Sequence, residues 1–335
     1  MATVKKLPSG KWNALAYYKD PVTGKVHRPS FTANSKAEAI RMAAEWESKR
    51  TRSPEYITVK ECIERYIKAK ESTLSPSTIR GYRIDQRNRY QEIENIAISA
   101  LTDEILQRFV SNLCLNHSPK TVRNTYALLT SSLQMFTDRR YHVTLPQKRP
   151  PELHVPNDDD VKTLLEIAEE SLKIAIVLAA VGTARAGEVA ALKYRDVKKD
   201  GIHIHSDMIK DQNNQWIIKE VPKTSASDRY VPLPEKVMQM LGTGDPDDFV
   251  YGRTPAAINR AFTRLRDKLG LKCRYHDLRH YAASIMHALG VPDQYIMERG
   301  GWKSDAVLKA VYRNTLSDQA IKYAKVTNDH FDELL

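Results

Sequence analysis

The sequence predicts a multidomain α+β chain: a small β-sheet plus helix first, an all-α bundle second, and a mainly α domain with a small antiparallel sheet last. Three observations carry this. Apolar residues alternate with a period of two before residue 35, and recur at helical spacing from 57 to 142. After the proline-rich stretch P-Q-K-R-P-P-E the helical period returns, with one interruption of period two between Gly201 and Leu233. The boundaries that follow are 1–55, 56–150 and 151–335.

In the first segment, a P-S-G turn precedes alternation around Trp12, Ala14, Ala16 and Tyr18, and D-P-V-T-G-K turns into a further short strand from Val26 to Phe31. Ser35, with Glu38 three residues on, is a capping box opening a helix to Arg50. A domain this small needs its aromatics inside, so Trp12 and Tyr18 read as core. Lys5, Lys6, Lys11, Lys19, Lys25 and Arg28 fall on its strands and turns, free to face phosphates. Beyond a linker at Arg52–Pro54, Thr58 opens a helix to Ala69 whose apolar face is Val59, Cys62, Ile63, Tyr66 and Ile67. Pro76 opens the next helix from its first turn, and L-T-D-E-I-L-Q-R-F-V and S-P-K-T-V-R-N-T-Y supply two more. Arg80, Arg83, Arg87 and Arg89 crowd one of these helices, and Lys120 and Arg123 another.

In the third segment Asn157 caps a helix with Asp158, Asp159 and Asp160 in its first turn, where the helix dipole favours acids. The apolar run Ile174–Val181 is a buried helix ending at Gly182. Arg185 stands at the turn that follows, with Glu188 three residues on as its carboxylate partner; by itself such a pair is as readily structural as chemical. Strands are expected in H-I-H-I, Gln215–Val221 and Asp228–Leu233; Lys223 lies in the turn between the last two, with Lys219 on the strand as the alternative lysine. A helix from Thr254 to Leu269 carries Arg260, Arg264 and Arg266. Then Y-H-D-L-R-H sets His276 and Arg279 on the first turn of a buried helix that Gly290 and Pro292 stop. A titratable imidazole beside a permanent cation at a helix N-terminus suits an anion.

The net charge of +11 is unevenly placed. Residues 1–55 hold 11 Lys and Arg against 5 Asp and Glu, and 56–150 hold 15 against 9, each +6, while 151–335 hold 26 against 27. Two cationic modules joined to a balanced third imply a grip on a polyanion, most simply DNA. No apolar run approaches the roughly 18 residues of a membrane span, and no secretory signal opens the chain. Cys62, Cys114 and Cys273 lie far apart without metal-ligand spacing, which fits reduced thiols in a cytoplasmic protein.

Arg185 with Glu188, Lys223 on a hairpin, H-x-x-R at His276 and Arg279, then Trp302 and Tyr312 occur in this order in one segment. The set resembles the tyrosine recombinase family, the integrases of phages and integrative elements, and the likeness runs across the whole chain. It implies an arm-site DNA-binding domain at 1–55, a core-site-binding bundle with linker at 56–150 and a catalytic domain with C-terminal tail at 151–335. The family's Thr-Gly before its first arginine is inverted here as Gly182-Thr183, Asn314 stands where a His commonly follows the nucleophile, and Trp302 replaces the more usual His.

By this resemblance Tyr312 attacks the scissile phosphate to form a 3′-phosphotyrosyl linkage, with Tyr295 and Tyr323 as rival phenols. Arg185 and Arg279 clamp the non-bridging oxygens, Lys223 protonates the leaving 5′ oxygen, His276 assists as acid and base, Trp302 packs the pocket, and Glu188 orients Arg185. The arginines do the electrostatic work of a divalent ion, so no metal, ATP or other cofactor is expected. The implied function is integration or excision of a mobile element or prophage in a bacterial host, by a homotetramer on arm and core attachment sites at the nucleoid. A DNA-bending protein and an excisionase are candidate helpers. The alternatives are a type IB topoisomerase-like relaxing enzyme, against which the 1–55 domain argues, and a catalytically silent DNA-binding regulator, against which the full residue set argues.

Overall fold

A computed structural model describes residues 3–19, 26–52, 57–148, 153–220, 228–302, 304 and 328, and the chain divides into two units, 1–150 and 151–335. In the first unit, β1 (Thr3–Lys6), β2 (Trp12–Leu15) and, after the short pair β3 (Tyr18–Lys19) and β4 (Val26–His27), β5 (Ser30–Ala33) form an antiparallel sheet in the order β1-β2-β5. Ala14 pairs with Val4 on one side and Phe31 on the other. Helix α1 (Lys36–Arg52) starts at Ser35, whose hydroxyl accepts the Glu38 amide at 3.2 Å, and it covers Ala14, Ala16 and Ala33 with Ala39 and Ala43. The alternation is broken at Asn13, which is also buried: its amide donates to Ser30 Oγ and Thr32 Oγ1 across the strand pair. Trp12 is half-buried against this core, with Lys6 and Lys36 lying 5.9 and 5.8 Å from its ring. Arg52, expected in a linker, is the last residue of α1.

Helices α2 (Val59–Lys70), α3 (Pro76–Arg89), α4 (Asp103–Asn116) and α5 (Pro119–Leu133) make the bundle. Thr58 and Glu61 close a capping box on α2, and Thr102 and Ser118 cap α4 and α5. Val59, Cys62, Ile63 and Ile67 face Phe109, Val122 and Leu129, and the Tyr90 hydroxyl donates to the Thr125 carbonyl at 2.7 Å. Cys62 lies in this core, where burial pushes its thiol up to about 12.

In the second unit Asn157 and Asp160 box the start of α6 (Asp158–Ile167). The apolar run becomes α7 (Glu170–Ala180), central to a core shared with α8 (Ala186–Ala191), Ile202, Val231, Phe262 and Leu278. Two antiparallel ribbons stand where one small sheet was expected. In one, β6 (Gly201–Ile204) pairs with a strand further along the chain, while in the other β7 (Asp207–Lys210) pairs with β8 (Trp216–Lys219). The partner of β6 is β9 (Arg229–Pro232), with Ile202 opposite Val231. The stretch D-M-I-K reads as a turn in sequence because all four residues of β7 are half-buried and so show no alternation. Helices α9 (Glu235–Leu241), α10 (Pro255–Lys268), α11 (Asp277–Ala288) and α12 (Asp293–Gly300) complete the unit. Among the described residues no helix is long and apolar enough to cross a membrane.

Candidate active site

The site is built from the turn after α7, the N-termini of α8 and α11, the start of β9 and the end of α12. At the turn, Thr183 adopts φ +55°. A β-branched residue pays roughly 1–3 kcal/mol for this left-handed conformation, so something must hold it there. Its hydroxyl lies 2.9 Å from the Arg299 carbonyl and 2.6 Å from that of Gly182, and its own carbonyl accepts from Arg279 Nη1 and, at 3.5 Å, from Arg229 Nη2. The inverted Gly182-Thr183 order thus moves the left-handed position onto threonine. Gly182 is required for another reason, since a Cβ there would sit 2.7 Å from the Leu178 carbonyl.

Arg185 caps α8. Its side chain is 34% exposed, donates through Nη1 to Glu188 Oε1 and through Nη2 to the Gly301 carbonyl at 3.2 Å. Glu188 is buried, and its Oε2 also accepts the Arg185 backbone N–H at 2.8 Å. Arg229, 3% exposed, grips the same carboxylate with Nη1 at 3.2 Å and Nη2 at 2.8 Å. Burial alone would push Glu188 up, but the Arg229 hydrogen bond and the charges of Arg229, Arg185 and Arg279 outweigh it and hold the carboxyl at about 2.

Arg279 on α11 is 1% exposed. Its Nη1 and Nη2 donate to the carbonyls of Thr183 and Gly300, its Nε has no partner among the described residues, and its guanidinium lies 4.1 Å from the centroid of the Trp302 ring. The Gly300-Gly301 pair makes this possible. A Cβ on Gly300 would fall 1.8 Å from the indole, and Gly301 at φ +63° turns the chain so that Trp302 folds back over it. Arg185 and Arg279 therefore hang from adjacent carbonyls, those of Gly301 and Gly300.

His276 is the residue before α11, rather than within its first turn. Partial burial lowers its pKa, and His280, Arg279 and Arg185 add to the effect against Asp277, bringing it to about 4 although the residue is exposed. The buried His280 ring meets it edge-on at 5.1 Å, and its Nδ1 has no partner among the described residues. Asp277 anchors the helix start, accepting from the Arg274 backbone and guanidinium at 2.7–3.0 Å.

Of the residues singled out by sequence, Arg185, Glu188, His276, Arg279 and Trp302 share this one site; Lys223 and Tyr312 lie outside the described residues. Arg229, Thr183 and His280 belong to the site and are missed by sequence reasoning. Arg229 carries a signal: it alternates with Val231 and Leu233, which places it on the inward face of β9. In the first unit Lys5, Lys6, Lys11, Arg28, Arg87 and Lys120 are exposed, Arg80 is half-buried, Lys25 lies outside the described residues and Lys19 is described only as backbone of β3. Arg83 is bound to Glu64 of α2, Arg89 to Asp85 one turn away, and Arg123 Nε donates to the Pro146 carbonyl at 2.8 Å. Those three guanidiniums are committed inside the bundle. Among the described residues no group of three or more His, Cys, Asp or Glu is placed to hold a metal ion.

Residues 156–318 match the family model described as the phage integrase family. Residues 156–318 thus form a domain of that family, the tyrosine recombinases. Its enzymatic class is site-specific DNA recombinase. The recombinase is 23% identical to a tyrosine recombinase XerC-like protein of Caldanaerobacter subterraneus subsp. tengcongensis, over 76% of this chain and 78% of that one. It is 21% identical to the prophage ps2 probable integrase of Lactococcus lactis subsp. lactis, over 97% and 99%. Its fold is shared with the Tn1549 transposon integrase in complex with transposon right end DNA, at a TM-score of 0.65 and 16% identity over 78% of this chain and 99% of that one. A lambda integrase tetramer bound to a Holliday junction superposes at 0.57, with 15% identity over 90% and 96%.

Glu188 and His276 are expected to make the recombinase acid-labile, His276 the less because it is exposed. Glu188, held at about 2 against an ordinary 4.5, contributes stability that is present above 4.5 and lost as pH falls toward 2. His276, held near 4 against 6.5, resists protonation in the fold, so stability also falls between 6.5 and 4. The melting temperature is expected to drop steadily below 6.5, and the gap between wild type and Glu188→Gln to narrow as pH falls below 4.5. Thermal denaturation across that range checks both.

Proposed function

We propose that this recombinase integrates or excises a mobile element or prophage by cutting and rejoining DNA through a 3′-phosphotyrosyl intermediate. The observation that carries the reading is a charge imbalance. Among the described residues Arg185 and Arg229 share the single carboxylate of Glu188, while Arg279 is bonded to carbonyls alone. Two positive charges are left over in a largely buried site, where unpaired charge costs several kcal/mol. A phosphate passing through a phosphorane supplies the missing negative charge, and it does so most fully in the transition state.

In this assignment Tyr312 is the nucleophile, a phenol that ionises far more readily than serine. Arg185, one-third exposed at the mouth, and Arg279, behind it, take the non-bridging oxygens. Lys223 gives its proton to the departing 5′ oxygen. His276, neutral at physiological pH, can accept the tyrosine proton and return it on rejoining. Trp302 walls the pocket behind Arg279. The phosphotyrosine conserves the bond energy, so the chemistry needs neither ATP nor a metal.

The DNA partners are arm and core attachment sites, gripped by the exposed cations of the 1–55 and 56–150 domains. The 151–335 domain carries the chemistry. By likeness to the lambda integrase tetramer the working assembly is a homotetramer. A DNA-bending protein and an excisionase set direction, and the enzyme acts in the cytoplasm at the nucleoid. The test is a supercoiled plasmid bearing two directly repeated copies of a site taken from DNA flanking the coding region. Resolution into two circles without ATP or Mg²⁺ is expected. Relaxation without resolution would show a topoisomerase, and binding with neither would show a silent regulator.

A further inference from the structure

The Arg229 side chain is as heavily bonded as that of Glu188, and no step of the proposed chemistry uses it. Its Nε and both terminal nitrogens already donate to protein acceptors, whereas Arg279 keeps an Nε without a partner among the described residues. From the first position of β9 Arg229 reaches three separate segments. Its Nε donates to the Arg299 carbonyl of α12 at 2.9 Å, its two terminal nitrogens hold both oxygens of Glu188 on α8, and Nη2 lies 3.5 Å from the carbonyl of Thr183 in the strained turn.

Each of these three is also the support of a phosphate-facing arginine. Glu188 holds Arg185, and the Thr183 carbonyl holds Arg279. Arg299 immediately precedes the Gly300 and Gly301 carbonyls on which both hang. The Thr183 hydroxyl is itself tied to the same Arg299 carbonyl that Arg229 takes. A planar fork with five donors can satisfy all three at once, and no other side chain type can.

We infer that Arg229 is a positioning residue, a buried fork that fixes the spacing of Arg185 and Arg279 to that of the two non-bridging oxygens of a phosphate. This rests on the phosphotyrosine reading above. It adds a role for a cation that never meets the substrate. Burying a third guanidinium costs stability, and that cost is offset by a carboxylate and carbonyls that would otherwise leave the other two arginines free to swing.

Arg229→Met keeps length and removes the fork. Single-turnover adduct formation on a nicked half-site DNA should fall by about 10- to 100-fold, the usual effect of losing a group that orients another, with DNA affinity held within about threefold. Arg229→Lys, a point charge unable to span both carboxylate oxygens and the carbonyls, should fall between the two. The decisive readout is DNA whose scissile phosphate has one non-bridging oxygen replaced by methyl. That phosphorane carries less charge for the arginines to meet, so the ratio of wild-type to variant rates should shrink several-fold on it. A variant that merely contained less folded protein would lose the same factor on both DNAs, and that result overturns the inference. So does an Arg229→Met protein of native melting temperature that cuts ordinary DNA at the wild-type rate. Should Arg229→Met fail to fold, Arg229→Lys is measured on the same two substrates: a ratio that shrinks on the methylated DNA supports the fork, and an unchanged ratio overturns it. Wild type forming no adduct at all would sink the phosphotyrosine reading itself, which is a distinguishable outcome.

Discussion

Tyr312→Phe is expected to abolish the covalent protein–DNA adduct while leaving DNA binding intact. The variant lacks one oxygen, the one assigned to the new bond with phosphorus, so the loss is not a matter of degree. Removing a covalent nucleophile costs on the order of 10⁶-fold, and the residue of activity falls below detection in a denaturing gel. In the proposed assignment binding is carried elsewhere, by the cations of the 1–55 and 56–150 segments through counter-ion release, and one phenol contributes little to it. The measurement is a gel shift and an adduct assay on the same nicked DNA. Two other tyrosines provide the control: Tyr295, exposed on α12, and Tyr323 should each tolerate Phe with adducts intact. Adducts persisting in Tyr312→Phe, or vanishing in either control, would overturn the assignment.

Local signals lead to half of this site. The Arg185–Glu188 contact spans three residues, so a turn followed by a short helix makes it readable from spacing alone. The structure shows why the two residues before Trp302 are both glycine: one lies under the indole, the other is left-handed. What spacing does not reveal is partnership at a distance. Arg229 and Glu188 are separated by 41 residues and meet because the fold brings the start of β9 to α8, a consequence of topology. The arginines of α3 show the converse. Their helical clustering reads as a cationic face, yet Glu64 comes from another helix and Asp85 from the preceding turn to neutralise two of them. In the sequence Thr183 is visible only as an inversion of a familiar order. That its strain is held by Arg229, Arg279 and the Arg299 carbonyl emerges only in the folded site.

Arg279→Met separates what the site does for folding from what it does for chemistry. The substitution leaves the Gly300 carbonyl without its donor, at about 1–3 kcal/mol for a buried polar group, and the Thr183 carbonyl with Arg229 Nη2 at 3.5 Å. It also removes a buried cation from a site with two positive charges in excess, and that relief works in the opposite direction. Thioether packing against Trp302 keeps part of the contact the guanidinium made. The free variant is therefore expected to lose only about 1–2 kcal/mol, a few degrees in melting temperature. Cleavage behaves otherwise. No relief attends the transition state, where the phosphorane needs the charge that is gone, and one lost donor of this kind costs about 10²–10³ in rate. Arg279→Lys restores the charge without the fork and should recover little of it. A site built for an anion predicts this combination of near-native stability and collapsed cleavage. An Arg279→Met protein that is grossly unfolded would instead mark the residue as structural, and one that cuts within tenfold of wild type would remove Arg279 from the clamp.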